Sequence, residues 1–319
     1  MLKTIWLKTV RDNWRAAVAW GVGIGLLIYV GVFAYIAQYP TVAARKLAQS
    51  EFGPLFSTFR FLIGDPVDIS TPGGFVTFRY FPILPVALGI WAILVTTSTR
   101  GEEQRGIGDL LMTTPHPRSS VLAQQWFGFS LALLIVTALM WLVGIAGWLT
   151  TGEPLDVTAM LIASLNVGFA AWVWGSLGLL LAQLFASRGM ASGITIALLI
   201  YAYFINNLAG MFDRLTRFAA ISPFHYYALN KPLAPGWSFD PLAFAIAPIL
   251  ALIFFGLALF FVNRRDVAAA YPLFGQRSRR VSTRPLNWHN PWLGNLFLRN
   301  LRDLALPAFW RLLGLVFYV

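Results

Sequence analysis

The residues best suited to contact another protein are concentrated in one interval, TRGEEQRGIGDLLMTTPHPR at 99–118, although the whole chain is only 12% charged. Segments without charged residues flank this interval on both sides. Its charged side chains can form ion pairs, and Ile107, Leu110 and Leu111 share one helix face at i, i+3 and i+4 spacing. The interval therefore offers docking groups rather than a nucleophile or an acid–base pair.

The spacing predicts a short helix over about 100–112. Thr99 and Glu102 fit a capping box, and acids in a first helical turn complement the helix dipole. Pro115 and Pro117 would end the helix, because proline cannot continue the hydrogen-bond ladder. An isolated helix this short is marginal in water, so we expect another surface to brace it.

Residues with catalytic potential are few and scattered. The three histidines, His116, His225 and His289, lie far apart in predicted loops and show no metal-ligand spacing. His225 lies near Ser222, which leaves a membrane acyltransferase as an alternative. The sequence has no cysteine and no GxxxxGK[ST] motif. We therefore expect a chain that is not an enzyme, holds no metal or cofactor and binds no ATP through a P-loop.

The elements that must position the charged interval are membrane spans. Of the 319 residues, 58% are hydrophobic. Six intervals free of Lys, Arg, Asp, Glu and His each reach the roughly 20 residues that a membrane-spanning helix needs. We predict an all-α integral membrane protein with spans at about 16–38, 80–99, 120–150, 157–185, 189–211 and 241–262.

The distribution of basic residues predicts the orientation. With the N-terminus in the cytoplasm, the inner segments hold 17 Lys or Arg and 6 Asp or Glu, whereas the outer loops hold 7 of each sign. The whole formal excess of +11 then lies on the cytoplasmic side, as the positive-inside rule requires. Anionic lipid and topology account for this charge, so we expect a lipid bilayer partner and no nucleic acid.

Two terminal segments have amphipathic patterns. Residues 1–15 place Trp6 and Trp14 on one side of a helix and basic residues on the other, which predicts an interfacial helix before the first span. Residues 263–319 form a basic cytoplasmic tail, in which 296–315 resembles 5–24. That tail would end in a second interfacial helix or a partial seventh span.

Small and polar residues inside the spans suggest contact surfaces. Gly21 with Gly25, and Gly189 with Gly193, have the small-xxx-small spacing that lets helices approach closely, which makes them candidates for packing between two copies. Buried polar groups in lipid need partners and so point inward. They would line a substrate path or form helix-to-helix hydrogen bonds, and the candidates are Asn166, Trp172, Trp174, Tyr201, Asn206 and Asn207.

The interval GEEQRGIGDLLMTTPHPR resembles the coupling-helix region of type-2 ABC exporter permeases. The resemblance extends over residues 1 to about 270 through the order of elements, SPFHYY at 222–227 and RRD after the sixth span. It implies that this interval is a cytoplasmic coupling helix seated against a separate ATPase subunit. The residues in contact would be Glu102, Glu103, Arg105, Gly106, Leu110, Leu111, Pro115 and Arg118.

The resemblance also implies a function and partners. The chain would be the permease subunit of an ATP-driven exporter in the plasma membrane, paired with a second copy or a related permease. Its partner ATPase would bind the ATP and Mg²⁺. Because the six spans hold no ionisable residue, an amphipathic or apolar cargo, such as a drug, antibiotic or lipid, fits better than an ion. The alternative is a non-transporting membrane scaffold or accessory subunit of a larger complex.

Overall fold

The computed structural model describes residues 4–58, 60–63, 67–104 and 117–264. The predicted basic tail and most of the predicted coupling helix lie outside these ranges. Within them the helices are α1 (Ile5–Gln38), α2 (Val42–Thr58), α3 (Arg60–Ile63), α4 (Pro72–Arg79), α5 (Leu84–Gln104), α6 (Arg118–Leu149), α7 (Val157–Leu184), α8 (Arg188–Ala209), α9 (Thr216–Ala219), α10 (Pro223–Leu229) and α11 (Pro241–Val262).

Six of these helices, α1, α5, α6, α7, α8 and α11, are long and apolar enough to cross a bilayer. The described part of the chain thereby confirms the prediction of an all-α integral membrane protein with six spans. Successive spans alternate in direction. The helix ends at Ile5, Gln104, Arg118, Leu184, Arg188 and Val262 define what we call the N-terminal face, and the opposite ends define the loop face.

Polar N-caps fix where three of the spans begin. The Asp156 carboxylate accepts hydrogen bonds from the backbone N–H groups of Thr158 and Ala159 at 2.8 and 3.0 Å, at the start of α7. Asp240 caps α11 in the same way, and the Ser187 hydroxyl accepts from the first turn of α8. Each cap satisfies backbone donors that have no partner within the helix. The predicted starts of these three spans therefore lie within one residue of the observed ones.

The N-terminal segment differs from the prediction. Residues 5–15 are not a separate interfacial helix, because α1 continues without a break from Ile5 to Gln38. Its 34 residues make a rod about 51 Å long at 1.5 Å per residue. The hydrocarbon core of a bilayer is about 30 Å thick. The first turns of α1, which carry Lys8, Arg11 and Asp12, therefore extend beyond the apolar layer at the N-terminal face.

Helices α1 and α6 run parallel, and glycines let them pack closely. Contacting pairs keep a nearly constant sequence separation, 119 residues in the hydrogen bond from Ile5 N–H to Gln124 Oε1. Other pairs along the same seam are Thr9 with Gly128, Gly21 with Leu139, Gly25 with Val143 and Tyr29 with Gly147. A Cβ on Gly21 would lie 2.7 Å from the Leu139 Cβ, so a larger residue there would push the helices apart.

The two most buried spans are α5 and α7. Small residues of α7 allow this, since Gly175 packs against Phe129 of α6 and Gly178 against Thr96 of α5. By contrast α8 and α11 bury only about a fifth of their apolar windows, 22% each, and so present broad faces outward. Helix α5 therefore lies inside the bundle, where a movement of α5 would displace several neighbouring helices.

Ordered contacts hold the long segment before α5 onto the loop face. The Arg45 guanidinium makes two bonds to the Glu153 carboxylate, at 2.6 and 3.2 Å, and this pairing raises the pKa of Arg45. Tyr35 stacks on Phe75 with 4.5 Å between ring centroids, and its hydroxyl donates to the Ile69 carbonyl. The loop between the first two spans is thus packed against the bundle.

Candidate functional site

Helix α5 carries the two predicted coupling acids on a direct extension of a membrane span. It continues through Glu102 and Glu103 to Gln104, the last described residue before 105–116, so both acids lie on this span rather than in the first turn of a new helix. The predicted capping box is not formed, because the Thr99 hydroxyl donates to the Thr96 carbonyl at 2.9 Å inside the continuous helix. Adjacent carboxylates repel each other, so nearby cations stabilise them.

Those cations come from two directions. The Lys8 ammonium lies 2.8 Å from Glu102 Oε1 and so joins α5 to α1. Arg100, one turn before Glu103, pairs with that carboxylate and is almost completely buried, with 1% of its side chain exposed. A buried arginine is costly unless it is paired and hydrogen-bonded. Glu103 therefore holds an internal charge in place.

The same part of α5 forms hydrogen bonds with the turn between α7 and α8. The Arg100 Nε–H donates to the Ala186 carbonyl at 3.3 Å, and the Gln104 side-chain amide donates to the same oxygen at 3.2 Å. In return the Arg188 guanidinium donates to the Leu94 carbonyl at 3.3 Å. We call the group Lys8, Arg100, Glu102, Glu103, Gln104, Ala186 and Arg188 the junction. It links α5 to α1 and to the α7–α8 turn.

The other predicted coupling residues lie partly inside and partly outside the described ranges. Arg105, Gly106, Leu110, Leu111 and Pro115 lie within 105–116, outside the described residues. Arg118 is the first residue of α6 and follows Pro117. The structure therefore places Glu102, Glu103 and Arg118 on the two helix ends from which residues 105–116 depart.

A second candidate site is a cavity of about 230 Å³ at the loop face. Its walls come from Val67, the end of α4 and the residues just before α5, from α7 and α8, and from parts of 210–219 and 224–237. Its polar lining includes Asn166, Tyr203, Asn206, Asn207, His225, Tyr227, Asn230 and Lys231. We call it the outer cavity.

Hydrogen bonds order the wall of the outer cavity. The Asn166 amide donates to the carbonyls of Tyr227 and Asn230, at 3.0 and 3.2 Å. The Tyr227 hydroxyl donates to the Phe81 carbonyl at 2.7 Å, and burial raises the pKa of Tyr227, so it remains a donor. Asn206 donates to the Asn207 side-chain oxygen at 3.4 Å. These bonds attach α10 to α7 and to the chain just before α5.

The predicted substrate-path residues divide into two groups. Asn166, Asn206 and Asn207 line the outer cavity together. Trp172 instead donates to the Ser130 hydroxyl at 2.9 Å and stacks on Trp126, which is helix-to-helix packing.

The other two path candidates lie elsewhere. Trp174 is buried and stacks on Phe224 with 5.7 Å between ring centroids, whereas Tyr201 is 63% exposed on the outward side of α8.

Several lining residues were missed in the sequence because they lie in the segment between the last two spans, in α10 and the loop after it. Tyr227, Asn230 and Lys231 belong to the SPFHYY region and its continuation, which the sequence marks only as aromatic and proline-rich. A polar residue in a loop carries no periodic signal that shows which way it faces. Only the fold brings this loop over α7 and α8.

The Ser222 hydroxyl is already used in structure. It accepts from the Phe224 N–H at 3.2 Å as the cap of α10 and donates to the Ala202 carbonyl at 3.0 Å. The hydroxyl therefore stabilises the start of α10 and joins it to α8. Among the residues that the structure describes, no group of three His, Asp or Glu side chains could hold a metal ion.

The two glycine pairs differ in their surroundings. Gly21 and Gly25 pack against Leu139 and Val143 of the same chain, so these faces are already covered without a second copy. Gly189 and Gly193 have no neighbouring atom within 4 Å of a built Cβ, and their side of α8 is open. The second pair therefore stays a prediction for contact between copies.

Comparison with known proteins places these features in a family. No curated protein sequence matches the chain closely enough to add to the assignment. A family model described as ABC-2 family transporter protein matches residues 4–267, which include all six spans, the junction and the outer cavity. The match covers more than half of the 319 residues. The chain belongs to the ABC-2 family of transporter proteins, as a multi-pass membrane permease component of an ABC transporter.

Proposed function

We propose that this permease is the membrane-spanning subunit of an ATP-driven exporter, and that a separate ATPase subunit drives it through the junction. The observation that carries the proposal is the junction itself. It joins three parts of the bundle at the point where residues 105–116 leave α5. A force applied to that segment would reach α1 and the α7–α8 turn together with α5.

The geometry of α5 supports transmission across the membrane. Its 21 residues make a rod of about 31 Å, close to the thickness of the hydrocarbon core. One end carries the junction, and the residues just before the other end, Phe81 and Pro82, line the outer cavity. A tilt of this rod would therefore change the cavity when the junction is displaced. Movement of packed rigid elements is an established form of switching.

The roles of the predicted coupling residues follow from this arrangement. Glu102 and Glu103 hold the junction together, so that it moves as a unit. Arg105, Gly106, Leu110, Leu111, Pro115 and Arg118 are the residues that we expect to contact the ATPase. In this proposal the N-terminal face is cytoplasmic, the membrane is the plasma membrane, and the partner binds ATP and Mg²⁺. The permease works as a pair with a second copy or a related chain.

Charge exchange across α1 and α5 tests the proposal. The full chain is purified from its native membrane with its partners, and ATP hydrolysis is measured as phosphate release. We expect Glu102→Lys to reduce the co-purified or stimulated ATPase activity, because like charges would separate α5 from α1 at Lys8. The double variant Lys8→Glu with Glu102→Lys should recover much of that activity. Arg15→Glu is the matched control, since Arg15 is exposed on the same helix and contacts Trp14 rather than a junction residue.

Two outcomes would count against an exporter permease. One is wild-type chain that carries no ATPase activity, which would favour the scaffold alternative. The other is a Glu102→Lys variant that keeps full ATPase association and turnover.

A further inference from the structure

The outer cavity has a size that limits what it can hold. Pockets for drug-sized ligands measure about 300–1,000 Å³. At about 230 Å³ the outer cavity falls below that range, so it fits one part of a ligand rather than a whole drug-sized molecule. Its apolar walls, including Phe78, Phe81 and Phe224, suit the beginning of a hydrocarbon chain. The shape therefore favours the headgroup of an amphiphile.

The charge of the lining limits the headgroup. Among the lining residues that the structure describes there is no aspartate or glutamate, so these residues offer a cationic headgroup no carboxylate. Lys231 lines the cavity, and its ammonium lies 4.5 Å from the centre of the Trp237 ring, in a cation–π contact. Transfer of an ion into such a site costs much more than transfer of a hydrogen-bonded neutral group.

The amides supply acceptors as well as donors. Both amide hydrogens of Asn166 are used by the Tyr227 and Asn230 carbonyls, so the group that it can offer a ligand is its carbonyl oxygen. Asn206 uses one hydrogen toward Asn207 and can offer its own carbonyl oxygen and the other hydrogen. An anion can only accept hydrogen bonds, and the carbonyl oxygens would repel it. Hydroxyl and amide groups can pair with both kinds of atom.

We propose that the outer cavity binds the uncharged, hydroxyl- or amide-bearing headgroup of an amphiphilic cargo, with Asn166 and Asn206 as its hydrogen-bonding groups. This rests on the proposed exporter function and names the class of cargo. Phe81 and Pro82 precede α5 in the wall, so tilting of that rod opens or narrows the headgroup site. The headgroup is then held at the loop face, where the cargo leaves the bundle.

Protection of a single cysteine tests the proposal, because the sequence has no native cysteine. Ala228 lines the cavity and is half-buried, so Ala228→Cys places one thiol there in the full chain. The chain is reconstituted in lipid nanodiscs, and the rate of maleimide modification is measured. The probes are glycerol monolaurate, laurate and dodecylamine, which share one chain length and differ in headgroup charge.

We expect glycerol monolaurate to slow modification of Ala228→Cys, while laurate and dodecylamine do not. In the double variant Ala228→Cys with Asn206→Leu, the concentration of glycerol monolaurate that halves the modification rate should rise about tenfold. This is the loss expected for one good hydrogen bond. Asn13→Leu is the matched control, because Asn13 lies on α1 and bonds to Thr9. Ser238→Cys, on the exposed loop, controls for general effects of the amphiphile on the bilayer.

Equal protection by all three probes, or protection by laurate or dodecylamine alone, would overturn the proposal. So would protection by glycerol monolaurate that Asn206→Leu leaves unchanged. The probe comparison on Ala228→Cys needs no second variant, so it stands even if Asn206→Leu fails to fold. The assay contains no ATPase and no nucleotide, so its failure is distinguishable from a failure of the exporter function at the junction.

Discussion

At the scale of single residues, the most consequential feature is a buried arginine next to the charged interval. Arg100 is 1% exposed and depends on Glu103 and the Ala186 carbonyl for its hydrogen bonds. Sequence reasoning assigned Glu103 to a contact with another subunit. In the structure it makes an ion pair inside the chain. The buried Arg100 cation needs an anionic partner, and Glu103, one turn away on the same helix, supplies it.

This arrangement predicts how stability responds to removing one partner or both. Arg100→Met breaks the buried ion pair with Glu103, which should cost about 3–5 kcal/mol and lower the melting temperature of the purified protein. Arg100→Met combined with Glu103→Leu removes both charges and should recover most of that loss, because buried pairs add little over apolar packing. An Arg100→Met protein that melts with the wild type would contradict the assignment.

The same double variant separates stability from coupling. We expect this variant to fold but to hold the α7–α8 turn less firmly, because the hydrogen bond from Arg100 to the Ala186 carbonyl is lost. The melting temperature of this double variant should return toward the wild-type value. Its stimulated ATPase activity should remain below that of the wild type.

At the scale of helices, the parallel pair α1 and α6 forms the most closely packed seam of the described bundle. Small residues occur along the seam where the two helices touch, including Gly21, Gly25, Gly128 and Gly147. Gly21 was predicted to pack against a second copy, but α6 already covers its face. The spacing of two glycines shows that a close contact is available and does not show which helix uses it.

A pair of substitutions two residues apart tests the seam. Gly21→Leu should destabilise the protein by about 1–3 kcal/mol, because its Cβ would lie 2.7 Å from Leu139 Cβ and 2.8 Å from the Val136 carbonyl. Gly23 lies two residues along the same helix on another face, with no atom within 4 Å of a Cβ there, so Gly23→Leu should be tolerated. Thermal unfolding of the two purified variants in one detergent makes the comparison, and equal melting temperatures would argue against the packing.

At the scale of the whole molecule, α5 connects two sites at opposite faces of the bundle. The junction lies at its C-terminal end, and the outer cavity begins just before its N-terminal end. Because α5 and α7 are the most buried spans, a displacement of either must be accommodated by several neighbours. This arrangement suits a permease, in which one conformational change has to act on both sides of a membrane.

The orientation of the whole bundle can be measured with single cysteines. Arg11 and Ser238 are both exposed and lie at the N-terminal and loop faces. In the proposed orientation the basic excess keeps the N-terminal face inside. A membrane-impermeant maleimide added to intact cells should then label Ser238→Cys and should label Arg11→Cys only after permeabilisation. The reverse pattern would place the junction on the outer side and remove it from any cytoplasmic ATPase.

The sequence by itself determined the number of spans and, within one residue, the starts of three of them, α7, α8 and α11. Charge-free runs of about 20 residues have few alternatives to a membrane helix, and N-caps such as Asp156 and Asp240 act within three residues of the helix start. The resemblance around 99–118 also led to the family, which the match over 4–267 confirms. These signals are local or compositional, so one sequence is enough to read them.

Only the tertiary structure decided where helices end and which polar groups meet. Lys8 stabilises Glu102 from 94 residues away, and together with Arg100 it lets α5 run on past Thr99. Asn166 contacts Asn230 across 64 residues, which makes a cavity from groups that the sequence could only place on separate helices and loops. Contacts at such separations depend on how the spans pack, and no local pattern of residue types records that packing.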